Sequence, residues 1–227
     1  MSVIRLCGLI ALLFLTACAT RSIPSELTII HDAPEVVAPK RDEVIILDAG
    51  HGGRDPGSIS HREDYEEKSL TLSTVFLIQD HLKKLGYKTV LTRNHDTYVP
   101  LHTRAEIAND LKANLFVSIH YNYSTSRDAE GVEVYVYKEE KKPNDIRIVQ
   151  SKRFAQTMLC SVIERTGAKS RGVKQANFAV IRETKMPAIL IEAGFLSNPS
   201  ERERLHDPKY LRQLSWGIAK GIDKYLQ

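Results

Sequence analysis

Short apolar runs alternate with longer stretches of helical period along most of this chain. Val44-Ile45-Ile46-Leu47, Leu115-Phe116-Val117-Ser118-Ile119 and Ala188-Ile189-Leu190-Ile191 are β-branched or aliphatic almost throughout and read as buried strands. Residues 67–84 set Leu70, Val75, Leu77, Ile78 and Leu82 along one helical side, with Leu85 next and Gly86 as the stop. Residues 87–92 read as the next strand and residues 101–111 as a helix. Residues 131–137 alternate Val132, Val134 and Val136 with Glu133, Tyr135 and Tyr137, which predicts a strand with one less buried face, towards the sheet edge. A helix near 150–166 follows, then strands near 178–181 and 188–192. Asn198-Pro199-Ser200-Glu201 places a capping side chain, a proline at the first helical position and a glutamate at the third; Asp207-Pro208 opens the last helix in the same way. That helix turns Leu211, Leu214, Ile218 and Ile222 to the core. The alternation predicts a single α/β domain over residues 44–227, with a central, mostly parallel or mixed sheet of about six strands and helices on both faces.

The N-terminus departs from this pattern. Arg5 is followed by an apolar stretch, residues 8–15, too short for a permanent span, which needs about 20 residues. Residues 1–17 read as an export signal. Leu15-Thr16-Ala17-Cys18 resembles the bacterial lipobox, which implies cleavage before Cys18 and lipidation of its thiol; the alternative is an ordinary signal that contains a cysteine. Residues 18–43, with Pro24, Pro34 and Pro39 and no sustained period, read as a tether. The expected location is periplasmic, lipid-anchored to a membrane. Ala19 in place of aspartate favours the outer membrane in a Gram-negative host.

Composition narrows the function classes. Lys and Arg number 32 against 28 Asp and Glu, far from the basic excess of a nucleic-acid binder. Of the three cysteines, Cys7 leaves with the signal and Cys18 would be acylated. Cys160 remains alone, projected opposite the stripe Phe154, Ala155, Met158, Leu159, Val162 as a partly exposed thiol. There is no disulfide framework to read.

Candidate chemistry gathers at strand ends. His51, His120 and Glu192 each follow one of the three apolar runs, and in open α/β sheets ligands bind beyond the carboxyl ends of strands. A hydrolytic zinc site takes three protein ligands and leaves a position for water. His51 and His120 offer nitrogen, and the acidic run Glu63-Asp64-Tyr65-Glu66-Glu67 offers the carboxylate. Glu192 then stands as general base, because an unpaired carboxylate after four buried residues is costly without a metal or substrate partner; structural pairing with Arg182 or Lys185 is the bland account. The other six histidines, His31, His61, His81, His95, His102 and His206, read as surface residues. Tyr135, Tyr137 and the charge run 138–142 read as an exposed edge rather than a carbohydrate platform.

Four ordered stretches carry a family resemblance. Leu47-Asp48-Ala49-Gly50-His51-Gly52-Gly53-Arg54-Asp55-Pro56-Gly57, Glu67-Lys68, Ser118-Ile119-His120-Tyr121-Asn122 and Ile191-Glu192-Ala193-Gly194-Phe195-Leu196-Ser197-Asn198 are similar to the zinc-dependent N-acetylmuramoyl-L-alanine amidases of the type-3 family. Thr92-Arg93 with Asp96 and Arg104, and Arg171-Gly172-Val173-Lys174, extend the likeness over residues 44–225. The resemblance implies hydrolysis of the amide between N-acetylmuramic acid and L-alanine in peptidoglycan, for wall remodelling, cell separation or recycling. It implies one zinc ion held by His51, Glu67 and His120, with Glu192 as catalytic acid/base and Asn122 as a supporting residue. The expected partners are peptidoglycan, the membrane through the N-terminal lipid, and a division-site activator; the expected state is a monomer.

Three departures bear on those expectations. The usual glycine before the ligand glutamate is missing, which leaves Glu66 as the alternative to Glu67. Tyr121 replaces a small residue, with the potential to narrow the pocket or stack on substrate. Only residues 138–150 stand where division-associated relatives carry a regulatory helix, so the site is expected to be open. Competing readings are a zinc peptidase cutting within the stem peptide and a catalytically dead envelope-binding module. Penicillin-binding-type serine chemistry is disfavoured, since no serine has lysine three positions later.

Overall fold

The computed structural model describes residues 41–60, 65–139 and 145–227. The export signal, Cys18, His31, most of the tether, His61 and the lysines of the 138–142 run beyond Lys138 lie outside the described residues. The elements run β1 (Val44–Ala49), β2 (Ile59–Ser60), β3 (Tyr65–Glu66), α1 (Glu67–Lys84), β4 (Lys88–Leu91), α2 (Leu101–Asp110), β5 (Leu115–Asn122), β6 (Val132–Tyr137), α3 (Ile146–Thr166), β7 (Ser170–Ala176), α4 (Ala179–Arg182), β8 (Ala188–Phe195), α5 (Pro199–His206) and α6 (Pro208–Leu226). They form one α/β domain. No helix among the described residues is long and apolar enough to cross a membrane.

The central sheet has six strands in the order β4-β1-β5-β8-β6-β7. All neighbours are parallel except β6 and β8. From β1 the chain crosses to β4 on one side and then to β5 on the other, so a topological switch point lies at the carboxyl end of β1. Side-chain parity divides the strands between two cores. Ile45, Leu47, Leu115, Val117, Ile119, Ile189 and Ile191 pack under α1, α3 and α6. Ile46, Phe116, Ala188 and Leu190 point the other way, against Ala108 of α2 and Val180 and Ile181 of α4. Asp48, Ser118, His120 and Glu192 share the parity of this second set, and that face carries the chemistry.

Local signals place α5 and α6 where the sequence predicts them. The Asn198 side chain accepts hydrogen bonds from the Ser200 and Glu201 amides, and Asp207 accepts from the Lys209 amide. Asp145 caps α3 and starts it at Ile146, ahead of the expected 150. α1 has no side-chain cap; the Glu67 and Lys68 amides donate instead to the Ser58 and Pro56 carbonyls, which fixes the first turn against the preceding loop.

Four expectations require correction. Residues 178–181 form no strand: apart from Phe178, they are the helical turn α4, which buries Val180 and Ile181 on the sheet. The missing strand is β7, an edge strand of mostly polar residues paired only to β6, so it lacks the apolar run that marks a buried strand. β6 lies one place inside that edge. Its less apolar face is covered, with Glu133 2% exposed and Tyr135 and Tyr137 half-buried, so these tyrosines are no exposed edge. His81 and His206 are half-buried, the first with its ring against Trp216 at 5.0 Å and the second with Nδ1 2.7 Å from the Arg202 carbonyl.

Candidate active site

β1 ends in a turn held by two cations. Arg104, 2% exposed, donates to Asp48 Oδ1 at 2.8 Å and to the Ala49 and His51 carbonyls at 2.6 and 2.7 Å. Arg93 donates to the Ala49 and Gly50 carbonyls at 3.0 and 2.9 Å and to the Lys68 carbonyl at 2.7 Å, joining this turn to the start of α1. Asp48 also accepts from Thr92 and Ser118 at 2.7 and 2.6 Å. Burial pushes its carboxyl up, but the Arg104 charge and these hydrogen bonds outweigh that and hold it below the usual value. The turn forces His51 to a φ of 61°, sparsely populated outside glycine and stabilised by the Arg104 contact.

Three side chains converge at this point. His51 Nε2 lies 3.1 Å from Glu67 Oε1 and 3.1 Å from His120 Nδ1, and His120 Nδ1 lies 3.1 Å from Glu67 Oε1. His51 and Glu67 are oriented from behind by hydrogen bonds. Asp55 Oδ2 sits 2.9 Å from His51 Nδ1. Glu67 accepts from the Ser58 amide through Oε2 and from the Tyr121 amide through Oε1, both at 2.9 Å. The His120 ring lies where a Cβ on Gly50 would stand, and a Cβ on Gly57 would come 2.7 Å from both Glu67 Oε2 and His51 Cδ2. Only glycine admits these rings and this carboxylate so close to backbone.

The donor set fits zinc. A tetrahedral ion at about 2.0–2.1 Å from nitrogen and oxygen ligands separates those ligands by roughly 3.3 Å, close to the triangle seen here. The two imidazoles and one carboxylate are suitable zinc donors, and they leave one side open to a cleft. Burial raises the Glu67 carboxyl, but hydrogen bonds from His120 and His51 bring it well below the ordinary range. Burial depresses both histidines, and Glu67 reverses the effect in each. Glu66 is excluded from the cluster: its carboxylate pairs with Lys68 at 3.2 Å and is 40% exposed.

Glu192 stands next to this cluster, paired in register with His120 across β5 and β8. Its Oε2 is buried and has no hydrogen-bond partner. Arg182 reaches Asn177 and Glu183 instead. Burial, together with the charges of Glu67 and Glu133, pushes the Glu192 carboxyl up to about 7. Glu133, opposite Glu192 on β6, is itself held by Lys174 at 2.7 Å, by the Tyr135 hydroxyl at 2.6 Å and by Arg171. Asn122 donates to Glu133 at 3.4 Å and accepts from the Tyr123 amide at 2.8 Å, just past the irregularity between β5 and β8.

Two clefts share His51, Asp55, His120 and Glu192. One, of about 730 Å³, is lined further by Gly57, Ser58, Asn122 and Tyr123. The other, of about 410 Å³, is more apolar and is lined by Leu101, Phe178, Val180 and Leu190. Tyr121 lines the larger cleft without putting its ring there. Its side chain turns into the core, 1% exposed, with its hydroxyl 2.6 Å from Thr74 Oγ1, because its parity is that of Val117 and Ile119. Asp55 and Glu133 were not legible as functional residues in the sequence; the one weak signal was an acidic residue interrupting the valines of β6.

Comparison with known proteins finds relatives of the chain. A family profile described as N-acetylmuramoyl-L-alanine amidase, type 3, matches residues 45–224. N-acetylmuramoyl-L-alanine amidase AmiC of Neisseria meningitidis serogroup B is 34% identical over 223 residues, covering 82% of this chain and 53% of that protein. The probable cell wall amidase LytH of Staphylococcus aureus is 32% identical over 202 residues, covering 88% of this chain and 64% of that protein. The chain therefore spans between half and two thirds of the length of these curated relatives. The catalytic domain of CwlV, an N-acetylmuramoyl-L-alanine amidase from Bacillus (Paenibacillus) polymyxa var. colistinus, superposes with a TM-score of 0.74 at 39% identity, over 81% of this chain and 98% of that domain. On the span of the family match and the identity to these relatives, the chain belongs to the type-3 family of N-acetylmuramoyl-L-alanine amidases.

Proposed function

We propose that this protein is a zinc-dependent amidase that hydrolyses the bond between the lactyl group of N-acetylmuramic acid and L-alanine in peptidoglycan. The observation that carries the reading is the 3.1 Å triangle of His51, Glu67 and His120 beside a buried, unpartnered Glu192 carboxylate. His51, Glu67 and His120 would hold the zinc ion, which when bound supplies a Lewis acid that polarises the amide carbonyl and acidifies water. Asp55 holds the far nitrogen of His51 and so aims Nε2 at the cluster. Glu192, with its raised carboxyl, accepts the proton of the attacking water and passes it to the departing amine of L-alanine. Asn122, tied to Glu133 at the mouth of the larger cleft, supports the site without entering the donor set.

The protein would act outside the cytoplasm, in wall remodelling, cell separation or recycling, held to a membrane by lipid on Cys18. Residues 138–145 join β6 to α3, too short a span for an inserted regulatory helix. The site would then work without release of an inhibitory segment.

The deciding experiment is product analysis. Zinc-loaded protein incubated with purified peptidoglycan should release intact stem peptides with a free L-alanine amine, identified by mass. Shortened stems with alanine still attached to sugar would establish a peptidase instead, and binding without products would establish a wall-binding module.

A further inference from the structure

α6 carries two stripes. Leu211, Leu214, Ile218 and Ile222 are buried in the core. Rotated away from them, Lys209, Arg212, Trp216, Lys220 and Lys224 recur at steps of three and four residues along the opposite side. Lys209, Arg212 and Lys224 are exposed. Trp216 is half-buried at the centre, edge-on to His81 and with Lys220 Nζ 5.9 Å from its ring centre. Clefts of about 550 and 490 Å³ flank the indole, and Arg165 from the end of α3 lines both. The acidic residues of the first cleft are Glu164 and Asp223. Asp223 is already engaged, by Lys220 at 2.6 Å and the Tyr87 hydroxyl at 3.0 Å. Neither cleft shares a residue with the candidate active site.

The described chain begins on this same face. Arg41 pairs with Asp223 at 3.6 Å and lies over the Tyr87 ring at 4.7 Å. Arg41, the first described residue, thus lies beside the cationic stripe.

We propose that this face of α6 docks on an anionic phospholipid surface, with the Trp216 indole at headgroup level and Lys209, Arg212, Lys224 and Arg165 against lipid phosphate. An indole ringed by lysine and arginine matches the chemistry of a membrane interface, apolar in the ring and wet at its edges. Each cation near an anionic bilayer strengthens binding about fivefold, so four together act well beyond the reach of one. The strand ends that carry His51, His120 and Glu192 stay uncovered, because the stripe lies outside the α1, α3 and α6 layer. The inference goes beyond the amidase reading and does not depend on it.

The test uses the chain from Ala19 onward, which removes the apolar leader and Cys18 and keeps the whole domain with its enclosed core. Trp216 is the sole tryptophan, so its emission reports this face alone. With vesicles of phosphatidylglycerol and phosphatidylcholine the protein should sediment and its emission should shift to the blue; with phosphatidylcholine alone it should do neither. Salt should reverse the binding. The exposed pair Lys209→Glu with Arg212→Glu should weaken it at least about tenfold. Hydrolysis of soluble muropeptide should be unchanged in that variant, and this scores the active site separately from the docking face. Absence of wild-type binding to the anionic vesicles, or equal binding by the double variant, overturns the proposal. Loss in the variant of binding to isolated peptidoglycan, with vesicles unbound throughout, would assign the stripe to the wall instead.

Discussion

His51 shows how much one residue's role depends on its surroundings. Its side chain is aimed from behind by Asp55 at 2.9 Å, and its backbone is held at positive φ by Arg104. Histidine flanked by glycines was legible in the sequence as a candidate ligand; the aspartate four residues on carried no separate signal. Asp55→Ala should therefore lower zinc affinity about 10–100-fold, read by competition with a chelator, while the fold is retained. Glu192 makes a different prediction, because it lies outside the donor triangle. Glu192→Gln should keep zinc, measured by metal analysis, and lose about 10²–10⁴-fold in turnover, because the amide keeps the shape and cannot accept the proton. Near-wild-type turnover in that variant would remove Glu192 from the proton path.

Among the elements, those defined by contacts within one or two turns were the legible ones. Asn198 and Asp207 cap α5 and α6 through side chains acting on amides two or three residues away, so the residue pattern alone locates both starts. Asn198→Ala should cost about 1 kcal/mol of stability, seen as a lower urea midpoint with an unchanged slope. β7 and α4 were illegible for the converse reason. β7 is an edge strand whose hydrogen bonds all go to β6, so its sequence needs no apolar run. α4 has the apolar sequence of a strand and becomes a helical turn because Val180 and Ile181 fill the second core.

At the scale of the whole molecule, the turn that bears His51 rests on a buried ion pair. Asp48 and Arg104 are 0% and 2% exposed and meet at 2.8 Å between the sheet and α2. Arg104→Leu should destabilise the protein by about 3–5 kcal/mol, since it strands the Asp48 charge in the interior. Asp48 also sets an acid limit. Its carboxyl titrates lower in the folded chain than its ordinary 3.8, so its contribution is present above that pH and is lost as pH falls through the folded value. Glu133 and Asp223, also held below their usual values, add with the same sign. Thermal melts taken below about pH 5 should show a midpoint that falls steeply as these lowered carboxylates protonate. The sequence by itself determined the alternation of strands and helices, the caps, and the chemical types of His51, His120 and Glu192 at three strand ends, because each of these is written in neighbouring residues. Only the tertiary structure decided that Glu67 and not Glu66 meets the histidines, that Tyr121 turns inward, and that Asp55, Arg93 and Arg104 hold the site from behind. It also decided that Trp216 stands among cations near Arg41, the first described residue. Those outcomes follow from strand register, side-chain parity and crossover packing, which join residues tens of positions apart and leave no local mark on the chain.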